Sequence, residues 1–401
     1  MEWSNAMTLI RLGRLYARNL ISNLSLLKES KNVSALNFSS APVLALGAGP
    51  SLDSVLDELS LLFGGKIPEE RFFKIICVDT CLQALIERGI QPDLVVILES
   101  QHWNLKDFTG LRNHKIDAAI DLSALPASVR VLGGERYFFA TPWTELRLFK
   151  RLNDSGLLPE IFPPLGSVGL SCVALALRLG NGPVLTAGID FSYTVDAFHA
   201  RSTPGHKKTH INNNRLISLI NVNETFREGS FPALSKSRTQ VRSDPALRNY
   251  RDLFEQEFGN NQRLSDITGS GLNLGIKTIP AADAFVILNS KSTDNDAKAS
   301  DTTCSTTSTI YGDIKEFARR DMDTLNSLKQ MLSGERPGEA NQLEELLDEL
   351  LEKVDYIWAH FPECAGAGGR RPPLTDLSFL KRVRVEIEPF LKLWQMLEES
   401  Q

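Results

Sequence analysis

Short apolar runs alternate with helical patterns along residues 41–190. Runs of mostly apolar residues, several rich in β-branched side chains, predict buried strands. These runs are 43–46, 73–78, 94–98, 137–140 and 184–189. Segments 51–62, 80–88 and 167–179 have apolar residues at helical spacing, and Gly89 and Gly180 stand where a helix commonly ends. This alternation predicts an α/β domain with a parallel sheet and helices on both of its faces.

The N-terminal segment 9–27 is apolar at helical spacing but is interrupted by three arginines. Its longest uncharged stretch, 19–27, is far too short to span a bilayer, which takes about 20 residues. The pattern predicts an amphipathic helix that packs on the protein or on a partner. Docking on a membrane surface is the alternative.

Residues 290–309 differ from both of their neighbours. Eleven of these twenty residues are Ser or Thr, and none is aromatic or a large aliphatic residue. Such a segment buries too little surface to offset its ordering entropy and predicts a flexible linker. Helical patterns follow at 314–332, 341–360 and 377–399, with a turn at 366–373. The predicted units are a helical segment, an α/β domain, the linker and a helical bundle, at 1–40, 41–289, 290–309 and 310–401.

Composition and charge exclude several classes of protein. The chain has 401 residues, 42% hydrophobic and 23% charged, with a formal net charge of -5. These values exclude a disordered chain, a collagen and a membrane bundle. The net charge shows no excess of basic residues of the kind that is typical of nucleic-acid-binding proteins. Five cysteines at irregular spacing predict reduced thiols. No export signal is visible, so we expect a cytoplasmic protein without a transmembrane segment.

The sharpest candidate for a ligand site is the segment 47–53, Gly-Ala-Gly-Pro-Ser-Leu-Asp, between the first strand and a helix. Glycines let the backbone approach a ligand closely, and the N–H groups of the helix start favour an anion such as phosphate. The segment lacks the third glycine of the dinucleotide fingerprint and the lysine of a Walker A loop. An ordinary tight turn is the alternative.

Polar residues also follow two other predicted strands. Asp79 follows the second strand, and Glu99 and Ser100 follow the third, at the sheet edge where parallel sheets bind ligands. Asp79 fits a ribose or sugar hydroxyl, or a helix N-cap. A single acid in the loop at 98–106 argues against a magnesium–diphosphate site. Gly166 and Ser167 open another helix, where close packing is the alternative to ligand binding.

The segment after the fifth predicted strand combines acid, phenol and imidazole groups. Asp190 and Tyr193 lie at the strand end, and three of the six histidines lie at 199–210 together with Arg201 and two lysines. This pattern predicts a basic loop that closes over an anionic donor, with a solvated loop as the alternative. A histidine there suits general-base chemistry. His206 and His210 have no supporting acid, so we predict no metal site.

These motifs together resemble a known family. The segment 47–52, the Gly-Ile-Gln-Pro-Asp turn at 89–93 and the stretch 166–193 resemble the central domain of motility-associated factor (Maf) proteins. Those are flagellin glycosyltransferases that transfer nonulosonic acids. Segments 172–177 and 188–191 are similar to campylobacter-type sialyltransferases, and the first motif is shared with the 6-hydroxymethylpterin diphosphokinase MptE-like family. Ala48 replaces an Asn of the sialyltransferases, which places the chain closer to the Maf group.

The resemblance, which covers roughly 41–290, implies a Rossmann-like, sialyltransferase-like fold and a metal-independent glycosyltransferase without a cofactor. The implied reaction moves a pseudaminic, legionaminic or sialic-type acid from a CMP-sugar to Ser or Thr of flagellin, in support of flagellar assembly and motility. His199 is the preferred base, with His206 and His210 as alternatives, and Tyr193 would hydrogen-bond the departing phosphate. With the strand-end residues, the predicted donor-binding set is Gly47, Gly49, Pro50, Ser51, Asp79, Glu99, Ser100, Gly166, Ser167, Asp190 and Arg201.

Two other functions remain open from the sequence. One is transfer of diphosphate from ATP to a pterin, as in the diphosphokinases. The other is a non-catalytic nucleotide-binding scaffold whose helical parts hold flagellin or a chaperone.

Overall fold

The structure is a computed structural model of the chain. It describes residues 2–399 apart from 144, 196, 217–225, 227, 291–311, 335–339 and 365–375. The predicted turn at 366–373, and all of the predicted linker except residue 290, lie outside the described residues.

Among the described residues, nine strands form one sheet in which every neighbouring pair is parallel. Two more strands, β8 and β9, form a separate antiparallel hairpin. The strands are β1 (Lys31–Asn32), β2 (Val43–Leu46), β3 (Lys74–Val78), β4 (Leu94–Ile97), β5 (Ala118–Asp121), β6 (Arg136–Phe139), β7 (Val184–Ala187), β8 (Phe231–Leu234), β9 (Gln240–Ser243), β10 (Leu264–Ile267) and β11 (Lys277–Ile279).

Helices cover the sheet and form the C-terminal part of the chain. The predicted helix at 341–360 ends early and is followed by a 3₁₀ turn at Asp355–Ile357. The α-helices are α1 (Glu2–Leu24), α2 (Leu52–Leu62), α3 (Asp79–Glu87), α4 (Pro126–Val129), α5 (Arg147–Asp154), α6 (Val168–Leu179), α7 (Pro204–Asn212), α8 (Pro245–Phe258), α9 (Ala281–Leu288), α10 (Ile314–Leu332), α11 (Ala340–Lys353) and α12 (Leu377–Glu399).

The order in which the strands are added to the sheet reverses at β2: β3 to β6 extend the sheet on one side of β2, and β7, β10 and β11 extend it on the other. The strand order is β1-β6-β5-β4-β3-β2-β7-β10-β11, with Leu44 of β2 level with Ile75 of β3 and with Leu185 of β7. Helix α6 carries the chain back over β4, β3 and β2 to β7. Every residue of β2, β4, β5 and β7 is buried, as expected for parallel strands covered on both faces. In such sheets ligands bind at the carboxyl ends of the strands beside this reversal.

Helix α1 packs on the protein itself. Leu20 and Ile21 are fully buried. The amide group of Asn19 donates to the carbonyl of Ser100, which follows β4, at 2.9 Å, and that of Asn23 donates to carbonyls that follow β5. We predicted that this helix packs either on the protein itself or on a partner, and the structure shows the first of these. Among the described residues, no helix is long and apolar enough to cross a membrane.

The C-terminal helices join the α/β domain through a buried polar network. Helix α12 packs along α10 and α1, and α11 packs on α10 and α5. The guanidinium of Arg151 in α5 donates two hydrogen bonds, at 2.6 and 3.0 Å, to the fully buried carboxylate of Asp321 in α10. The Tyr356 hydroxyl donates to the same carboxylate at 2.9 Å, and Trp394 Nε1 donates to that hydroxyl at 2.9 Å.

Candidate functional site

The Gly-rich loop after β2 lies against the loop after β7. The Gly49 N–H donates to the carbonyl of Gly188 at 2.7 Å, and the Gly47 N–H donates to that of Ala187 at 2.9 Å. A Cβ on Gly49 would lie 2.5 Å from Asp190 Oδ2, and one on Gly47 would overlap the Gly188 carbonyl. Both glycines are therefore required by the close approach of two loops.

Asp190 caps the start of α2. Its Oδ2 accepts a hydrogen bond from the Ser51 N–H at 2.7 Å, and its Oδ1 accepts one from Ser51 Oγ at 2.5 Å. Both residues are buried, and burial raises the pKa of Asp190 while the bonds from Ser51 lower it. This carboxylate occupies the position before the helix, next to Pro50, at which we predicted a phosphate. The donors of Gly49 and Ser51 thus have partners inside the protein, and their contact with a ligand stays a prediction.

Replacing Gly49 with Ala is expected to destabilise the protein by about 1–3 kcal/mol, because the added methyl group overlaps the Asp190 carboxylate. Chemical unfolding measures this change. Gly169 is the matched control, since a Cβ there would meet its first neighbour at 3.6 Å, an ordinary contact. Equal losses in both variants would contradict the packing explanation.

The turn between β8 and β9 contacts the end of β10 through a buried ion pair. Lys236 Nζ donates to Asp266 Oδ2 at 2.5 Å and to the Ile267 carbonyl at 3.0 Å. The two charged side chains are only 4% and 1% exposed. Burial raises the pKa of Asp266 to about 6, against the opposing effect of the Lys236 charge.

Asp79, Asn104 and Asp107 form a buried polar cluster at the ends of β3 and β4. Asn104 Nδ2 donates to Asp79 Oδ2 at 2.7 Å and lies 3.4 Å from Asp107 Oδ2. Burial raises the pKa of Asp79 to about 7, with a further contribution from the charge of Asp107, and raises that of Asp107 to about 6. Among the described residues, Asn104 Oδ1 and Asp107 Oδ1 have no hydrogen-bond partner. Buried oxygens without a partner are uncommon, which makes these two atoms candidate acceptors for ligand hydroxyl groups.

The cluster adds a residue to the expectation for this loop. The single acid at 98–106 argues against a magnesium–diphosphate site, and the structure brings the next acid, Asp107, close to Asp79 through Asn104. The 3₁₀ helix His102–Phe108 turns Asn104 and Asp107 toward α3. An Asn and an Asp three residues apart after a strand end were the signal that could have revealed this.

His199 lies beside the Gly-rich loop. The N–H of the next residue, Ala200, donates to the carbonyl of Ala48 at 2.9 Å, and a Cβ on Gly205 would lie 3.2 Å from His199 Nδ1. Burial lowers the pKa of His199 to about 4, and the charge of Lys106 lowers it further. The imidazole is therefore neutral at pH 7, the form that accepts a proton.

The two alternative histidines lie on α7. The rings of His206 and His210 are 4.2 Å apart, and His210 is exposed. Within the part of the chain that the structure describes, no three His, Cys, Asp or Glu side chains are grouped so as to hold a metal ion.

Tyr193 and Arg201 make contacts within the chain. Tyr193 is 1% exposed and its ring stacks on that of Phe198 at 4.0 Å. Arg201 pairs with Asp53 at 3.5 Å and with Asp57 at 3.2 Å on α2, and its side chain is 61% exposed. Their contacts with the phosphate of a donor stay predictions.

Gly166 and Ser167 lie at the start of α6, beside Tyr250 of α8. Gly166 has a φ of 70°, and a Cβ there would lie 3.3 Å from the Tyr250 ring. Ser167 makes no capping hydrogen bond. Glu99 is exposed and its carboxylate accepts from the N–H of Gln101 at 2.8 Å.

All predicted site residues except Tyr193 and Arg201 thus fall into three groups at one edge of the sheet. Gly47, Gly49, Pro50, Ser51 and Asp190 are grouped at the contact of two loops. Asp79 and His199 lie near Asn104, Lys106 and Asp107, none of which was predicted. Glu99, Ser100, Gly166 and Ser167 lie near Tyr16 and Tyr250, which were not predicted either.

Two comparisons of sequence relate the chain to known proteins. The family model described as 6-hydroxymethylpterin diphosphokinase MptE-like matches residues 17–196. An uncharacterized protein of Treponema pallidum (strain Nichols) is 32% identical over 416 residues, which cover 99% of this chain and 70% of that protein.

A solved structure has a similar fold. The Maf glycosyltransferase from Magnetospirillum magneticum AMB-1 matches with a TM-score of 0.55 and 16% identity, over 96% of this chain and 60% of that chain. The chain therefore spans three fifths of the length of that enzyme. The match confirms the predicted α/β fold with its helical C-terminal region.

Proposed function

Because the chain belongs to the MptE-like family and shares the fold of a Maf glycosyltransferase, we propose that it is a glycosyltransferase. It transfers a nonulosonic acid from a CMP-sugar to Ser or Thr of flagellin in the cytoplasm. The observation that carries this proposal is the position of His199 beside the Gly-rich loop at the ligand-binding edge of the sheet, where the N–H of the next residue, Ala200, donates to the Ala48 carbonyl.

The proposed mechanism is a direct displacement. The acceptor hydroxyl attacks the anomeric carbon of the donor as the bond from that carbon to the CMP phosphate oxygen breaks. The electron pair of the broken bond stays on the phosphate, and the hydroxyl proton passes to His199. The ammonium group of Lys106, close enough to lower the pKa of His199, stabilises the negative charge that builds up on CMP.

The cluster of Asp79, Asn104 and Asp107 suits the nucleoside part of the donor. Its unpartnered oxygens accept hydrogen bonds, and ribose offers two hydroxyl groups as donors. A protonated carboxyl group in this cluster adds a hydrogen-bond donor for the nucleobase or the ribose of the donor nucleotide.

The same cluster favours a second candidate function, transfer of diphosphate from ATP to a pterin. The name of the matched family model refers to that reaction. Asp79 and Asp107 accept hydrogen bonds from the same Asn104 amide group, and Asp107 Oδ1 and Asn104 Oδ1 have no partner among the described residues. Carboxylate and amide oxygens are ligands of Mg²⁺, which ATP-dependent diphosphate transfer requires.

Isothermal titration calorimetry separates the two functions. We expect CMP to bind with micromolar affinity without Mg²⁺, and Asn104→Ala to weaken this binding about tenfold through loss of a buried hydrogen bond. Asn153→Ala, on the exposed side of α5, is the matched control. Binding of ATP with Mg²⁺ but not of CMP would overturn the transferase in favour of the diphosphokinase. Binding of neither nucleotide would contradict both functions.

A further inference from the structure

Three aromatic side chains from distant parts of the chain meet beside the start of α6. The ring of Tyr16 in α1 lies 5.3 Å from that of Trp143, which follows β6. Tyr250 of α8 packs on Gly166, and its phenol group is close enough to Tyr16 to help raise the pKa of that residue. Tyr16, Trp143 and Tyr250 are each half-buried, and we call them the aromatic cleft.

Hydrogen-bond donors line the aromatic cleft. Burial raises the pKa of Tyr16 to about 12, and the charges of Glu99 and Asp121 raise it further, so the hydroxyl keeps its proton. Ser167 contributes a hydroxyl that does not cap its helix. Trp143 Nε1 is buried and has no hydrogen-bond partner among the described residues.

The unpartnered indole distinguishes the aromatic cleft from the core. The Nε1 of Trp358 donates to the Leu351 carbonyl at 2.8 Å, and that of Trp394 donates to the Tyr356 hydroxyl at 2.9 Å. Buried indole N–H groups ordinarily have such partners. Trp143 Nε1 therefore indicates an acceptor supplied from outside the chain.

We propose that the aromatic cleft binds the sugar ring of the glycosyl donor, and that Tyr16 and Trp143 determine its specificity. This inference rests on the proposed function. The aromatic faces cover the C–H groups of the ring, while the Tyr16 hydroxyl and Trp143 Nε1 donate to its oxygens. The aromatic cleft lies at the ligand-binding edge, because Ser100 and Ser167 beside it follow β4 and precede α6.

The test compares the affinities of two ligands in each variant. We expect the wild-type chain to bind CMP-N-acetylneuraminic acid more tightly than CMP. Tyr16→Phe and Trp143→Phe keep an aromatic ring but remove one donor each. Each should weaken binding of the CMP-sugar about three- to tenfold, the loss expected for one hydrogen bond, and leave the affinity for CMP unchanged.

The control is Tyr137→Phe on β6, away from the aromatic cleft, and the unfolding midpoint of each variant reports its fold. Equal losses for the CMP-sugar and CMP would indicate a structural role and overturn the inference, as would unchanged affinities or a CMP-sugar that binds no tighter than CMP. If the wild-type chain binds neither ligand, the proposed function itself fails.

Discussion

Replacing His199 with Ala is expected to lower the rate of glycosyl transfer by about 10²- to 10⁴-fold, the usual contribution of a general base. CMP binding should stay the same, because the imidazole acts on the acceptor hydroxyl. The rate is measured as CMP released from a CMP-nonulosonic acid with purified flagellin as acceptor. Since the pKa of His199 is about 4, kcat/KM of the wild-type enzyme should fall as the pH decreases through about 4.

His206→Ala and His210→Ala are the controls for this assignment. Both residues lie on α7, within twelve positions of His199. A rate loss in either of them, with His199→Ala active, would move the role of the base to that histidine. Full activity in all three variants would contradict histidine catalysis. Absence of transfer in the wild-type chain, with CMP still bound, would support the scaffold.

Replacing Asp321 with Ala is expected to lower the free energy of unfolding by about 3–5 kcal/mol. The substitution leaves the Arg151 guanidinium partly buried without its counter-charge and removes the acceptor of the Tyr356 hydroxyl. Urea unfolding, followed by tryptophan fluorescence, measures the loss. Because α5 and α10 both contribute to this network, the α/β domain and the C-terminal helices should lose stability together.

Two further variants test the physical reason. The double variant Arg151→Met with Asp321→Leu removes both charges and should recover much of the stability. Glu388→Ala breaks the exposed pair with Lys329 and should leave the unfolding midpoint unchanged. A midpoint for Asp321→Ala equal to that of Glu388→Ala would show that the buried pair adds nothing.

The sequence was sufficient for most of the central strands because a parallel strand covered on both faces is a continuous apolar run. This pattern located β2, β3, β4, β6 and β7 to within two residues. It missed β5, a fully buried strand of four residues that ends in Asp121, and β10, in which Ser265 and Asp266 interrupt the apolar residues. The partners of Asp266 are Thr186 and Lys236, so its burial depends on contacts between distant parts of the chain.

The candidate site was predictable only in part, for a related reason. Local spacing located the Gly-rich loop and the strand ends that carry Asp79 and Glu99. It could not show that Ser51 is bound by Asp190, which lies 139 positions further along the chain. Tyr16 and Trp143 were missed because each belongs to a segment with an ordinary structural pattern. Only the fold brings them together.

The packing of the Gly-rich loop has an evolutionary consequence. Any larger side chain at Gly47, Gly49 or Gly188 meets backbone or carboxylate atoms of the facing loop. Purifying selection would therefore retain these glycines in a relative that had lost all enzymatic activity. Divergence of function should appear instead at positions 104 and 143, where side chains offer hydrogen-bonding atoms that the folded chain does not use.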